Sequence, residues 1–348
     1  MNNNFSENYN AFMNRDSKYE GLLIVAVKTT KIFCRPTCTA RRPKQENIEF
    51  YKNALDALAN GFRPCKICKP MEMFGEAPES IQLLIKELHK DPFQRIKDYN
   101  LKQRGIEPSL VRRWFKKNHN LTFQAYQRML RLNGAFNNIK GGNKITETAF
   151  ESGYESLSGF NTGYANLFGS SPKKTDNIQI INILRITTPI GPMFAGATKK
   201  GICLLEFTDR RMLETELKDL RRLLNAEILP GENNYIELLE KELEEYFKGV
   251  RKIFTVPLDT PGTDFQKKVW KILLEIPYGV TRSYKQQAIL LNKPLAVRAV
   301  GTANGSNRVS IVIPCHRVIG ENGNLTGYGG GLPRKKWLLD HEKKIFNG

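Results

Sequence analysis

The sequence lacks an apolar run long enough to cross a bilayer: Leu22 to Val27 is six residues, where about 20 are needed. No membrane partner is expected. Met1 to Asn10 is polar and has no basic-then-apolar signal pattern, so the chain reads as cytoplasmic. Cysteine is scarce. Six in 348 residues are too few for a disulfide scaffold, and four of them form two close pairs, which in a reducing compartment points to metal. Acidic residues are also under-represented, 35 against 54 Lys plus Arg, and the resulting charge of +19 favours a polyanion. Nucleic acid is the leading candidate, although a ribosome or an anionic lipid surface would satisfy charge alone.

The length suits two to four domains of roughly 100 residues. Residues 1–76 hold the apolar strand Leu22 to Val27 and both cysteine pairs, and end in a loop containing Gly75 and Pro78. Residues 77–174 have helical spacing. Leu110, Val111, Trp114 and Phe115 share one face, Arg112, Arg113, Lys116 and Lys117 the other, and Ser109 is the expected N-cap. A second unit runs from Ile145 to Phe168 and is broken at Gly153, so two helix-turn-helix units are predicted. Gly169 to Asn177 reads as a linker into an alternating strand region, Ile178 to Phe207, followed by helices near 210–225 and 234–248. A further boundary near Pro257 to Thr263 divides 175–262 from 263–348. The last part begins with a helix around Phe265 to Glu275, and a buried strand, Val309 to Ile313, leads into Pro314-Cys315-His316-Arg317. No internal repeat is visible beyond the two helical units.

Cys34-x3-Cys38 and Cys65-x2-Cys68 lie 26 residues apart, and two tight pairs can supply the four thiolates of a tetrahedral zinc site. Spacing alone leaves a closed structural knot as an alternative. The flanking residues, Ile32 to Cys38, Arg41-Arg42-Pro43 and Gly61 to Cys68, resemble the zinc-binding domain of the Ada family. That resemblance implies one zinc ion on Cys34, Cys38, Cys65 and Cys68. It further implies that Cys34 accepts a methyl group from DNA phosphotriesters and that this event activates transcription control.

Between residues 101 and 131 there are eight Lys or Arg and one acidic residue, Glu107, so phosphate contact through Arg112, Arg113, Lys116 and Lys117 is expected. Ala149 to Tyr154, Phe160 and Phe168 to Pro172 resemble AraC-type DNA-binding domains, which place a helix of each unit in the major groove. The second reading helix departs from that family: Thr162, Ala165 and Asn166 stand where basic residues are usual, and Gly159 and Gly163 weaken the helix.

A cysteine after an apolar segment is commonly an inert core residue. Here the surroundings differ: Arg298 to Gly301, Asn304 to Asn307, Ile311 to Gly320, Thr326 to Gly331 and Trp337 to Glu342 resemble the O6-alkylguanine-DNA alkyltransferase family, continuously from about Phe265 to Glu342. The resemblance implies a ribonuclease H-like α/β subdomain joined to a winged-helix-like helical one, giving a multidomain α+β protein. It makes Cys315 the acceptor of methyl from O6-alkylguanine and from O4-methylthymine, His316 a base acting through water, Glu342 its orienting carboxylate and Asn307 the organiser of the active-site turn. Arg298 would fill the stack vacated by an extruded nucleotide and Tyr284 would crowd the phosphate. Tyr328 would wall the pocket and donate to the leaving oxygen. Cys203 matches no role.

Together these readings imply a single-turnover methyltransferase and regulator, acting as a monomer on damaged duplex and operator DNA, near RNA polymerase at the nucleoid. A zinc-dependent regulator with little repair activity and a cysteine hydrolase are the competing classes.

Overall fold

The computed structural model describes residues 3–346 and shows an α+β chain of several modules. In the first, α1 (Asn3–Met13) and a one-turn 3-10 helix (Ser17–Tyr19) precede β1 (Ile24–Val27), β2 (Ile32–Cys34), β3 (Ile48–Tyr51), α2 (Ala54–Ala59) and β4 (Arg63–Pro64). The strands form one sheet in the order β3-β1-β2-β4. Its two faces bury different clusters, Ile24, Ala26 and Phe33 on one and Leu23, Val25 and Ile48 on the other, as period-two alternation requires.

Six helices follow: α3 (Glu79–Lys90), α4 (Asp98–Gln103), α5 (Pro108–His119), α6 (Phe123–Lys140), α7 (Ile145–Glu151) and α8 (Leu157–Phe168). The pairs α4–α5 and α7–α8 are the two helix-turn-helix units, and the 18-residue α6 runs between them. Val111 and Phe115 are fully buried, Trp114 is half-buried, and Leu110 is exposed, so the core stripe is narrower than its sequence suggested. The N-cap of α5 is Glu107 rather than Ser109. Pro108 takes the first helical position, where its missing N–H costs nothing, and the Glu107 side chain accepts from the Ser109 amide.

The stretch expected as a linker is ordered. Pro172–Asn177 is a 3-10 segment, and the buried hydroxyls of Thr175 and Tyr164 lie 2.7 Å apart. Next come β5 (Gln179–Thr188), β6 (Gly191–Ala197), β7 (Ile202–Phe207), α9 (Leu213–Leu224), β8 (Ala226–Pro230) and α10 (Asn234–Phe247). The sheet order is β7-β6-β5-β8, antiparallel except for β5 with β8.

The last segment contains α11 (Asp264–Leu274), β9 (Arg282–Ser283), α12 (Tyr284–Leu290), α13 (Val297–Gly305), a 3-10 turn (Cys315–Arg317), β10 (Val318–Ile319) and α14 (Leu332–Phe346). Val309 to Ile313 is not a strand. Leu205 donates to the Arg308 carbonyl and accepts from the Ser310 amide, so the contact is a single bridge between Leu205 and Val309; the Ser310 carbonyl then accepts from the Val312 amide in a turn, with Ile311 at φ 72°. A left-handed residue there ends the extended run and aims Cys315 inward.

Residues 175–262 and 263–348 share one core: Met193, Leu205 and Phe207 from the sheet and Leu239, Leu243 and Tyr246 from α10 pack with Val269, Trp270, Leu273 and Cys315. The helical module docks on the same sheet at its β8 end, through Leu132, Phe136 and Tyr164 against Leu229, while the opposite face packs Ile181, Leu204 and Ile228 against Leu220 of α9.

Candidate functional sites

The first site forms because β2 ends at Cys34 and β4 runs parallel to β2, delivering Cys65 beside it; the Cys65 amide donates to the Phe33 carbonyl at 2.9 Å. The sulfurs of Cys34, Cys38, Cys65 and Cys68 all lie within 4.8 Å of one another, and three of the four residues are buried. Four converging thiols with no other acceptor among them are the donor set that tetrahedral zinc takes. Arg35 closes the site. Its amide donates to Cys68 Sγ at 3.3 Å, and its guanidinium donates to the carbonyls of Cys68 and Lys69 and to Glu20. Glu20 is fully buried and also accepts from the Thr37 amide and hydroxyl. Arg35 and Glu20 carried no signal in the cysteine spacing.

The second site lies where the four sequence-selected residues Asn307, Cys315, His316 and Glu342 come together. Asn307 Nδ2 donates to the Ile313 carbonyl at 2.9 Å and to Cys315 Sγ at 3.2 Å, while its Oδ1 accepts from the Val309 amide. That fixes the turn before the cysteine. Burial pushes the Cys315 thiol up, and the Asn307 bond works against it by favouring the thiolate. His316 is fully buried with Nε2 2.8 Å from Glu342 Oε1, leaving Nδ1 without a protein partner among the described residues. Burial holds the imidazole below its usual range, with Glu342 pulling the other way.

Three groups that the sequence did not single out hold Glu342. Arg317 Nε donates to Oε2 at 2.8 Å, the Tyr246 hydroxyl to Oε1 at 2.8 Å and the Gly279 amide to Oε2 at 3.2 Å. Burial alone would raise this carboxyl, but His316 and Arg317 outweigh it and keep it well below the usual carboxylate range. Arg317 stood in the quoted Pro-Cys-His-Arg run, whereas Tyr246 comes from α10, almost 100 residues away in sequence, and only the fold could supply it.

Beside Cys315 a cavity of about 240 Å³ is lined by Arg210, Tyr284, Gly301, Asn304 and Tyr328 among others. Tyr328 is half-buried, and the burial of its hydroxyl pushes it well above its usual range, so it keeps its proton. The Tyr284 hydroxyl donates to the Thr326 carbonyl at 3.2 Å. Arg298 projects from the exposed side of α13, outside the cavity lining. Arg210 forms the opposite edge, bridging buried Glu206 and Glu216 at 3.1 and 2.6 Å and donating to the Gly305 carbonyl. Cys203 sits fully buried in the sheet core, away from both sites.

On the helical module, Arg113, Lys116 and Lys117 are exposed, but Arg112 is engaged with Asp98 at 2.6 Å. Gly163 of α8 has a packing reason: a Cβ there would lie 2.7 Å from the Tyr154 hydroxyl.

Four family descriptions match the chain in succession. Metal binding domain of Ada covers residues 7–71, Helix-turn-helix domain 102–177, and the ribonuclease-like and DNA binding domains of 6-O-methylguanine DNA methyltransferase 185–260 and 264–344. The bifunctional transcriptional activator/DNA repair enzyme Ada of Escherichia coli is 31% identical over 97% of this chain and 96% of its own length. The inducible methylated-DNA–protein-cysteine methyltransferase of Bacillus subtilis is 44% identical over 43% of this chain and 84% of its own. Among solved structures, Mycobacterium tuberculosis OGT in complex with DNA shows 40% identity, TM-score 0.41, covering 48% of this chain and 94% of that one. The methylated N-ADA/DNA complex shows 35% identity, TM-score 0.30, covering 36% and 96%.

Proposed function

Because this chain belongs to the Ada family of bifunctional transcriptional activators and DNA repair enzymes, we propose that it moves methyl groups from alkylated DNA onto Cys315 and Cys34 and regulates transcription through its helical module. The observation that carries the reading is the arrangement Asn307–Cys315 and His316–Glu342 beside an open cavity.

An O6-alkyl carbon is inside the duplex, so the nucleotide must be extruded, with Arg298 filling the gap and Tyr284 pressing on the phosphate. The Cys315 proton passes through a water to His316, and the Glu342 carboxylate stabilises the imidazolium. The sulfur electron pair forms the S–C bond while the C–O6 bond breaks. The pair left on the guanine oxygen is met by the Tyr328 hydroxyl, and the proton held by His316 returns to the base. A thioether has no ready route back to thiol, so each molecule repairs one lesion.

At the other site, a zinc ion on Cys34, Cys38, Cys65 and Cys68 keeps sulfur ionised at neutral pH. The exposed basic residues flanking the cysteines, Arg41, Arg63 and Lys66, draw in the phosphate backbone, and Cys34 accepts the phosphotriester methyl. Arg113, Lys116 and Lys117 contact operator phosphates, joined by Arg112 once it is released from Asp98. In this reading the protein works as a cytoplasmic, nucleoid-associated monomer beside RNA polymerase, consistent with its charge of +19. Among the described residues no helix is long and apolar enough to cross a membrane.

Mixing the protein with excess duplex carrying O6-methylguanine and locating methylated peptides by mass spectrometry tests this. One methyl per chain on Cys315 is expected. No uptake would favour a regulator without repair, and multiple-turnover ester cleavage a hydrolase.

A further inference from the structure

The first module does not stand apart from the cavity. Its turn Ser17–Tyr19 packs on α14 and on the glycine loop that carries Tyr328. Ser17 Oγ donates to Asp209 Oδ2 at 2.6 Å. Arg334, 1% exposed, donates to both Asp209 oxygens at 2.7 and 3.0 Å, to the carbonyls of Ile190 and Gly330 at 2.8 and 3.2 Å, and to the Ser17 carbonyl at 3.5 Å. Its guanidinium lies 4.1 Å from the Phe207 ring centre. Gly331, at φ 91°, lies so close to Lys18 that a Cβ would be 2.8 Å from that side chain.

Asp209 and Arg334 therefore hold the loop from Tyr328 to Gly331, and Ser17 holds Asp209. Three residues after Ser17, Glu20 is clasped by Arg35 and Thr37, inside the Cys34-to-Cys38 loop. One short segment of the zinc-binding module thus touches both sites. Nothing in the family roles assigned above uses Ser17, Asp209 or Arg334.

We infer that Ser17 is a positioning residue for methyl transfer to Cys315: the zinc-binding module completes the support of the wall that Tyr328 presents to the base. The inference rests on Cys315 being the base-repair acceptor. With Ser17 gone, Asp209 loses the hydrogen bond that orients it toward Arg334, and the Gly330 carbonyl is less firmly held. Tyr328 then spends less time where it can meet the leaving oxygen.

The test uses the full chain and two substrates, duplex O6-methylguanine and free O6-benzylguanine, which needs no DNA docking. Ser17→Ala is expected to slow transfer to Cys315 by about fivefold on both, the rate equivalent of one ordinary hydrogen bond. Ser17→Thr, which keeps the hydroxyl, restores the rate. Asp209→Asn also slows transfer, and adding Ser17→Ala to it produces no further loss. Zinc content and methylation of Cys34 stay at wild-type levels in Ser17→Ala. An unchanged Ser17→Ala rate, a loss confined to the duplex, or independent losses in the double variant each overturn the inference. Wild-type protein that takes no methyl on Cys315 would overturn the base-repair reading instead, a separate result visible in the same assay.

Discussion

Glu342, carried by α14, lies 2.8 Å from His316 Nε2, and both residues are fully buried. That contact fixes the ring so that Nδ1 is the nitrogen left for exchange with solvent or substrate. The same carboxylate balances Arg317. Removing one member of a buried pair leaves the other charge uncompensated, which costs roughly 3–5 kcal/mol. Glu342→Ala is accordingly expected to lower stability by that amount. Glu342→Gln, which keeps the shape, should slow transfer to Cys315 at least about tenfold with a smaller stability loss. Denaturant melts and single-turnover rates check both, and a Gln variant at wild-type rate would remove Glu342 from the mechanism.

The same residue makes a pH prediction. Its folded-state carboxyl is held below the usual value of 4.5. A carboxylate depressed on folding contributes stability that is complete above the unfolded-chain value and is lost as pH falls through the folded one. His316 acts in the same direction, because an imidazole kept unprotonated by burial is penalised as pH drops below its usual 6.5. The wild-type advantage over Glu342→Gln should be full at about pH 7 and shrink toward about pH 3.5. Parallel unfolding curves at the two pH values would mean that Glu342 is not charged in the folded protein.

Cys315→Ala is expected to abolish methyl uptake from O6-methylguanine while zinc content and methylation of Cys34 remain intact, since the sulfurs lie in different cores. Equal loss of both activities, measured by peptide mass spectrometry, would defeat the two-acceptor reading.

How much of this was legible depended on the range of the interaction. Spacing and periodicity located α5, α10, α11 and the four cysteines of the first site, whereas Asn307, His316 and Glu342 were reached through the family resemblance of the runs around Cys315. Groups that act across modules were silent: Tyr246, Arg334 and Ser17 look like ordinary helix and turn residues until the fold brings them to Glu342, the glycine loop and Asp209. The expected strand at Val309 to Ile313 failed for a related reason. Apolar content marked it as buried, but a left-handed Ile311 makes it a turn. Gly163, which sequence could treat only as a helix weakener, leaves room for Tyr154.

Arg298 lies on the exposed side of α13, beyond the cavity lining. If it fills the vacated stack, Arg298→Ala should slow repair of duplex O6-methylguanine by more than about tenfold while leaving transfer from free O6-benzylguanine within about twofold of wild type. Competing rates on the two substrates measure this. Parallel loss on both would place Arg298 in folding or in the chemistry.

The last prediction concerns Cys34 as a switch. Four thiolates on a divalent zinc ion carry a formal charge near –2, and methylating one sulfur leaves about –1, so the site repels DNA phosphates less. Near a surface one unit of charge is worth on the order of 1 kcal/mol, reduced by salt. That is a several-fold change in affinity. Operator binding is therefore expected to tighten several-fold after reaction with phosphotriester-containing DNA, and the gain should shrink as ionic strength rises. The exposed Arg113, Lys116 and Lys117 supply the salt-dependent background on which the change is read. Departure of α8 from basic reading residues does not remove the effect, because the charge change acts through the backbone and not through base contacts. The comparison is operator affinity of wild type and Cys34→Ala, each before and after methylation, with zinc measured throughout. Cys34→Ala should show no gain. Unchanged wild-type affinity with methylation of Cys34 confirmed would eliminate the switch and leave repair at Cys315 untouched.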